Sequence, residues 1–145
     1  MKNKIKLEFR MMNSNAMPPS RSRDTDAAFD LYAAEGAAIN ARDFVFVTTS
    51  LQIAAPPGYY YSIEGRSSMF FSGIIAFRGI IDAGYTGEIK IGLYNISDGI
   101  YKVTKGDRIA QLILHEVQEP EFVNVKEFSA AYDQRGLAGW GSSGK

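Results

Sequence analysis

Asp82 is the side chain best placed to do chemistry in this sequence. It lies in Gly79-Ile80-Ile81-Asp82-Ala83-Gly84-Tyr85-Thr86-Gly87, where β-branched residues lead into an Ala-Gly bend. Gly84 can take a positive φ at no steric cost, so the spacing predicts a β-hairpin whose tip carries one acid and one aromatic. Glu88-Ile89-Lys90-Ile91-Gly92-Leu93-Tyr94-Asn95 leaves the bend as an alternating strand. Such a tip can read a flat polar ligand with its main chain and present a carboxylate to it. The same Asp-x-Gly pattern is also ordinary turn chemistry, and this segment alone leaves both readings open.

Two other stretches can hold phosphate. Arg66-Ser67-Ser68 opens a short predicted helix, with Ser67 as cap, residues 68–71 as the turn and Gly73 as the stop. Free N–H groups at a helix end, beside a guanidinium, suit one anion. The alternative is that Arg66 pairs with a surface acid and Ser67 only caps. Residues 133–145 hold Arg135, four glycines, two serines and the single Trp140, a composition that cannot make a packed element. Glycine- and serine-rich loops with Arg bind phosphate through N–H groups, hydroxyls and bidentate guanidinium contacts. We expect this tail to order on a ligand, although an inert end has the same composition. Gly139 to Lys145 matches the spacing of a P-loop but lacks the preceding strand, the Ser or Thr and the following helix. With Tyr85 and Trp140 able to hold a sugar and a base, and Asp30 as a second acid, the inventory suits a nucleoside polyphosphate hydrolysed with Mg²⁺.

The elements that position these groups read as nearly all β. Ile5, Leu7 and Phe9 alternate as a half-buried strand should. Further strands are predicted over 29–33, 44–47, 52–54, 59–64, 74–77, 80–82, 88–94, 108–117 and 122–125. Met17-Pro18-Pro19-Ser20, Pro56-Pro57-Gly58 and Ser97-Asp98-Gly99 mark breaks and turns. Many short strands with regular turn signals predict an antiparallel barrel or jelly roll.

The chain of 145 residues suits one domain, over 1–132, with 133–145 as an arm. A chain this long buries roughly 68–70% of its unfolded surface. Apolar residues make up 46% and the formal net charge is zero, which argues against coating nucleic acid or an anionic membrane surface. There is no cysteine, so neither disulfides nor thiolate metal sites are possible. This fits an intracellular protein. Residues 1–9 lack a signal-peptide core and no run reaches the ~18–20 apolar residues of a membrane span. His115, the one histidine, lies in a strand-like run and reads as structural or surface.

Five segments in order resemble the trimeric dUTPase family (deoxyuridine triphosphate nucleotidohydrolases). They are Asp26-Ala27-Ala28-Phe29-Asp30-Leu31-Tyr32-Ala33-Ala34, Gly65-Arg66-Ser67-Ser68-Met69, the Asp82 segment, Gly106-Asp107-Arg108-Ile109-Ala110-Gln111-Leu112-Ile113, and Arg135-Gly136-Leu137-Ala138-Gly139-Trp140-Gly141-Ser142-Ser143-Gly144. The resemblance implies hydrolysis of dUTP to dUMP and pyrophosphate, in which Asp82 activates a water that attacks the α-phosphorus. It implies that Tyr85 packs on the deoxyribose and excludes a 2′-hydroxyl, and that the main chain around Gly79, Ile81 and Tyr85 reads uracil. Asp30 would meet Mg²⁺ through a water. Arg66, Ser67, Ser68 and Gln111 would hold phosphates. Arg135, with Gly141, Ser142, Ser143 and Gly144, would reach the γ-phosphate, and Trp140 would stack on the base. It further implies a homotrimer whose three sites are each shared between subunits.

The chain departs from the family pattern at Trp140, where Phe is usual, at Phe77-Arg78 and at Ala28-Phe29. We expect Arg78 to be a surface residue. A related deaminase of dCTP shares this fold and carries a catalytic Glu on the strand after the hairpin. Gly92 occupies that position here and cannot shuttle a proton. A pyrophosphatase for another nucleotide and a non-enzymatic regulatory module of the same fold are the remaining alternatives.

Overall fold

The computed structural model of the chain describes residues 4–129. Ten strands and one helix follow one another as β1 (Glu8–Met11), β2 (Phe29–Tyr32), β3 (Ala37–Ile39), β4 (Phe44–Ala54), β5 (Tyr59–Glu64), α1 (Ser67–Phe71), β6 (Ile74–Ala76), β7 (Gly79–Ile81), β8 (Glu88–Asn95), β9 (Tyr101–Val103) and β10 (Arg108–Glu116). Period-two alternation explains the long strands. In β8, Ile89, Ile91 and Leu93 face inward while Lys90 and Tyr94 face out.

Every pairing is antiparallel. Four strands in the order β1-β4-β8-β6 form one sheet, four in the order β2-β10-β5-β7 form the second, and β3-β9 make a small third ladder. Val47, Leu51, Ile53, Ile89, Ile91 and Leu93 of the first sheet meet Leu31, Tyr61, Ile63 and Leu112 of the second in one buried core. Burial at this density supplies the main favourable term in folding. The result is the expected all-β antiparallel fold of jelly-roll type.

Several sequence expectations are corrected. The segment around Asp82 is not a hairpin. β7 pairs with β5 and β8 pairs with β4 and β6, so residues 82–87 cross from one sheet to the other. The bend itself is as expected, with Tyr85 N–H donating to the Asp82 carbonyl at 3.3 Å and Gly84 at φ +81°. A turn of this kind joins strands of either arrangement. The N-terminal strand lies at residues 8–11, later than expected, and is exposed throughout. The segments expected at 44–47 and 52–54 fuse into β4 through a register shift between Thr48 and Gln52. Residues 122–125 form no strand in the described chain, and Phe122 is exposed. β3 and β9, three residues each, had no sequence signal strong enough to predict them. Pro56-Pro57-Gly58 does form its turn, with Tyr59 N–H donating to the Pro56 carbonyl at 3.1 Å and Gly58 at φ +84°. No helix among the described residues is long and apolar enough to cross a membrane.

Candidate active site

A single ladder row organises the phosphate-binding candidates. Asp30 on β2 stands opposite Gln111 on β10, and Gln111 stands opposite Glu64 at the end of β5. Arg66 follows two residues later, and its Nε donates to Asp30 Oδ1 at 2.9 Å. Its Nη1 donates to Ser68 Oγ at 3.1 Å and to the Arg108 carbonyl at 3.3 Å. Gln111 Nε2 donates to the Gly65 carbonyl at 2.8 Å, which fixes the backbone that carries Arg66. Asp30, Arg66, Ser68 and Gln111 are therefore together. Arg66 pairs with an acid, but that acid is the site candidate Asp30 rather than an unrelated surface group.

Arg108 completes this cluster and was missed by sequence reasoning. Its Nη1 lies 3.5 Å from Asp30 Oδ2. Alternation could not have placed it, because the register shifts between Arg108 and Ala110. Arg108 stands opposite Tyr32 while Ala110 stands opposite Leu31. Two guanidiniums surround the Asp30 carboxylate, and Asp107 adds a second acid to the lining. Arg66, Ser68, Ser72, Tyr101, Asp107 and Arg108 line an open depression of about 290 Å³ there, where guanidinium and hydroxyl groups can donate to an anion.

The capping assignment needs correction. Arg66, with φ −102° and ψ 140°, is itself the N-cap of α1, and no side chain caps the helix. Ser67 is the first helical residue, so its hydroxyl is not held by a cap bond. The helix stops where expected: Gly73, at φ +77°, donates its N–H to the Phe70 carbonyl at 2.9 Å.

Asp82, Gly79, Ile81 and Tyr85 lie elsewhere. A cavity of about 540 Å³ opens between the two sheets beside the 82–87 crossing. Gly79, Ile81 and Tyr85 line it, together with Ile63, Phe46, Phe77, Glu88 and Lys90. Its apolar floor and polar rim suit a flat ring with hydrogen-bonding edges. Tyr85 is half exposed on its rim and donates its hydroxyl to the Glu88 carbonyl at 3.3 Å. Asp82 is exposed and makes no ion pair among the described residues.

The ladder register gives the separation between these two half-sites. Ile81 faces Tyr61, so Asp82 lies at the level of Tyr60, four residues along β5 from Glu64. Four residues of strand and the two strand spacings from β7 to β10 put Asp82 about 16 Å from Gln111 in Cα distance, and the third spacing puts it about 19 Å from Asp30.

Other residues behave as follows. Arg78 pairs with Glu64 at 2.9 Å and is largely exposed, as expected of a surface residue. Phe29 receives the Arg21 guanidinium 5.0 Å above its ring. His115 Nε2 is 2.8 Å from Ser62 Oγ and its ring stacks on Tyr60 at 4.8 Å, a structural role. Burial pushes the Tyr61 phenol well above its ordinary range, with nearby Tyr85 adding to the effect. Arg135, Trp140, Gly141, Ser142, Ser143 and Gly144 lie outside the described residues.

Mg²⁺ fits the donor set in one manner only. Among the described residues no three acidic or histidine side chains cluster as a metal cage. Mg²⁺ keeps several waters and takes one or two carboxylates plus substrate phosphates, so a single carboxylate beside a phosphate-binding depression is an adequate protein share. Gly92 tests the deaminase alternative. A Cβ there would lie 3.0 Å from the Phe44 ring and 3.3 Å from Phe46, two rings packed edge to face. A side chain there would have to push those two exposed rings aside.

The family model for dUTPase matches residues 14–144. The deoxyuridine 5′-triphosphate nucleotidohydrolase of Kluyveromyces lactis is 38% identical over 144 residues, covering 99% of this chain and 95% of the relative. That of Fowl adenovirus A serotype 1 is 35% identical, covering 96% of this chain and 78% of the relative. The Staphylococcus bacteriophage 80alpha dUTPase solved with dUPNHPP superposes with a TM-score of 0.87 at 28% identity, over 97% of this chain and 99% of that one. A mutant dUTPase of phage phi11 of S. aureus, described as coordinating a structural Mg(II) ion, has a TM-score of 0.78 at 26% identity, over 86% of this chain and 99% of that one. A match that runs through all five signature segments, on the same fold and at this identity, settles the lineage: this chain belongs to the dUTPase family.

Proposed function

We propose that this chain hydrolyses dUTP to dUMP and pyrophosphate in a site assembled from more than one copy. The observation that carries the reading is the family match over residues 14–144, with Gly79, Ile81 and Tyr85 of the Asp82 segment in the larger cavity and the Arg66 and Arg108 segments around the depression. Uracil enters the larger cavity, where the main chain of Gly79 to Tyr85 pairs with its polar edge. A wrong base leaves buried polar groups unpaired, which is a strong basis for rejection. The ring of Tyr85 lies against the deoxyribose.

Asp82 accepts a proton from the attacking water. The water oxygen bonds to the α-phosphorus as the bond from that phosphorus to the bridging oxygen breaks, and pyrophosphate leaves. An exposed carboxylate that makes no ion pair among the described residues can act as the base in this role. Arg66, Ser67 and Ser68 bind the phosphates, Arg108 adds a second guanidinium, and Gln111 lies on the α-phosphate side. Asp30 orients both guanidiniums and would hold Mg²⁺ through a water. When bound, the ion supplies charge neutralisation on the phosphate oxygens. Arg135, Gly141, Ser142 and Ser143 cover the γ-phosphate and Trp140 stacks on the base.

The calculated separation of about 16–19 Å supports sharing between copies, because one water and one α-phosphorus must touch both half-sites. A homotrimer supplies this by cyclic symmetry, each copy offering its cavity to one neighbour and its phosphate end to another.

Pyrophosphate release from dUTP tests the reading. Asp82→Asn should lose on the order of 10²–10⁴-fold in kcat while still binding the substrate. Equal release by wild type and variant would remove Asp82 from the chemistry. A panel of deoxynucleoside and ribonucleoside triphosphates, read as monophosphate plus pyrophosphate, tests the substrate.

A further inference from the structure

We propose that Thr48 and Glu88 are positioning residues that fix Tyr85 and so set the discrimination between deoxyribo- and ribonucleotides. The proposal rests on the functional reading above and assigns work to residues outside the five signature segments.

Among the described residues, the Tyr85 ring is held by one side-chain hydrogen bond. Its hydroxyl donates to the Glu88 carbonyl at 3.3 Å, and its phenol folds back over Gly87. A Cβ at residue 87 would overlap that phenol, so any other residue there would force the half-exposed Tyr85 ring to move. The ring therefore stands where the backbone of residues 87–88 puts it. A ring free to move by an ångström would make room for a 2′-hydroxyl, and a ring held in place would not.

Glu88 is held from the other side. Its side chain is only 21% exposed. Its Oε1 accepts from Thr48 Oγ1, and Lys90 Nζ lies 3.6 Å from its Oε2. Thr48 reaches Glu88 diagonally across the ladder, since its direct partner is Lys90. The register shift that follows Thr48 sets three residues, Thr49 to Leu51, against Ile89 alone.

That bulge is held in an unfavourable conformation. Ser50 is buried and has φ +51°, which a non-glycine residue rarely adopts. Its neighbours over-determine it. Ser50 N–H donates to Thr48 Oγ1 at 3.0 Å, Thr49 Oγ1 donates to the Ile89 carbonyl at 2.7 Å, and Asn13 Nδ2 donates to Ser50 Oγ at 3.1 Å. The Thr48 hydroxyl accepts from the bulge and donates to Glu88, using its single proton on the carboxylate. Backbone strain kept in place by a satisfied network, across the ladder from Ile89 of the cavity lining, is the pattern expected of a positioning device.

The experiment measures kcat/KM for dUTP and for UTP in wild type, Thr48→Val, Glu88→Ala, Glu88→Gln and Tyr85→Phe. The ratio of the two values should fall about tenfold in Thr48→Val, Glu88→Ala and Tyr85→Phe, chiefly through a rise in the UTP value. Glu88→Gln, which keeps an acceptor for Thr48, should recover most of the ratio. In Thr48→Val combined with Tyr85→Phe the ratio should fall no further than in either single variant. A ratio within about twofold of wild type in the Thr48 and Glu88 variants would overturn the proposal. So would equal losses on both substrates, or additive falls in the double variant. A wild-type protein that hydrolyses dUTP and UTP alike would instead overturn the functional reading.

Discussion

Complementation between two inactive variants tests the composite site directly. Asp82→Asn removes the proposed base from one half-site and Arg66→Ala removes the proposed phosphate clamp from the other. The ladder register places the backbones of these halves about 16–19 Å apart in one copy, so a single copy brings both to one α-phosphorus only with its side chains near full extension. If each site takes Asp82 from one copy and Arg66 from another, a mixed oligomer contains sites that draw both intact residues. In an equimolar mixture assembled at random, each site has one chance in two of receiving an intact Asp82 and, independently, one in two of receiving an intact Arg66. The expected rate is about one quarter of wild type, from two proteins that are each nearly inactive. The assay is pyrophosphate release from dUTP after the two purified variants are denatured and refolded together. The same variants refolded separately and then mixed give the baseline. A co-refolded mixture no faster than that baseline, with wild type recovering under the same protocol, would place both groups in one copy and refute the register argument.

Three further outcomes are expected. Gly92→Glu should destabilise the chain by about 1–3 kcal/mol in urea denaturation, because a side chain there must displace the Phe44 ring, and it should confer no release of ammonia from dCTP. Stability should fall as pH rises above 10: the Tyr61 phenol, raised by burial, keeps its proton in the folded chain while the unfolded chain loses it, so each further pH unit costs about 1.4 kcal/mol for that group until its folded value is reached. Its contribution is fully present below pH 10, and a thermal-melt series in which Tyr61→Phe loses no part of that slope would contradict the assignment. Removal of residues 133–145 should leave a folded oligomer with greatly reduced turnover, and Trp140 emission should change when a non-hydrolysable dUTP analogue binds with Mg²⁺; a truncated chain as fast as the full one would end the proposed role of the arm.

Which parts were legible in the sequence follows from what each signal depends on. Ile89, Ile91 and Leu93 alternate in the sequence and lie in the core, because a strand with one buried face must show that period. The family resemblance assigns Arg66, Ser67, Ser68 and Gln111 to phosphate and Asp30 to Mg²⁺ through a water, and the structure brings Asp30, Arg66, Ser68 and Gln111 together. The partner of β7 was not legible. Ala83-Gly84 specifies a turn, and the turn is identical whether the next strand returns beside the first or passes to another sheet. Arg108 was missed for a related reason. Its orientation depends on a register shift between two strands, 76 residues apart at Tyr32 and Arg108, and no local pattern encodes such a shift. Thr48 and Glu88 likewise meet only through the bulge.

The separation of the half-sites has an electrostatic consequence. Asp30 is taken up by Arg66 and Arg108, whereas Asp82 makes no ion pair among the described residues. Were Arg66 to stand 4 Å from Asp82 in the same chain, the pair would attract by about 4 kcal/mol at an effective dielectric constant of 20. At about 20 Å through water the attraction falls to about 0.2 kcal/mol. Asp30 also keeps the two guanidiniums from repelling each other while no phosphate is bound. An incoming triphosphate offers both of them more negative charge than one carboxylate does, so the clamp can turn to substrate without leaving an arginine unpaired. In the proposed oligomer the base and the clamp would meet only where a phosphate lies between them.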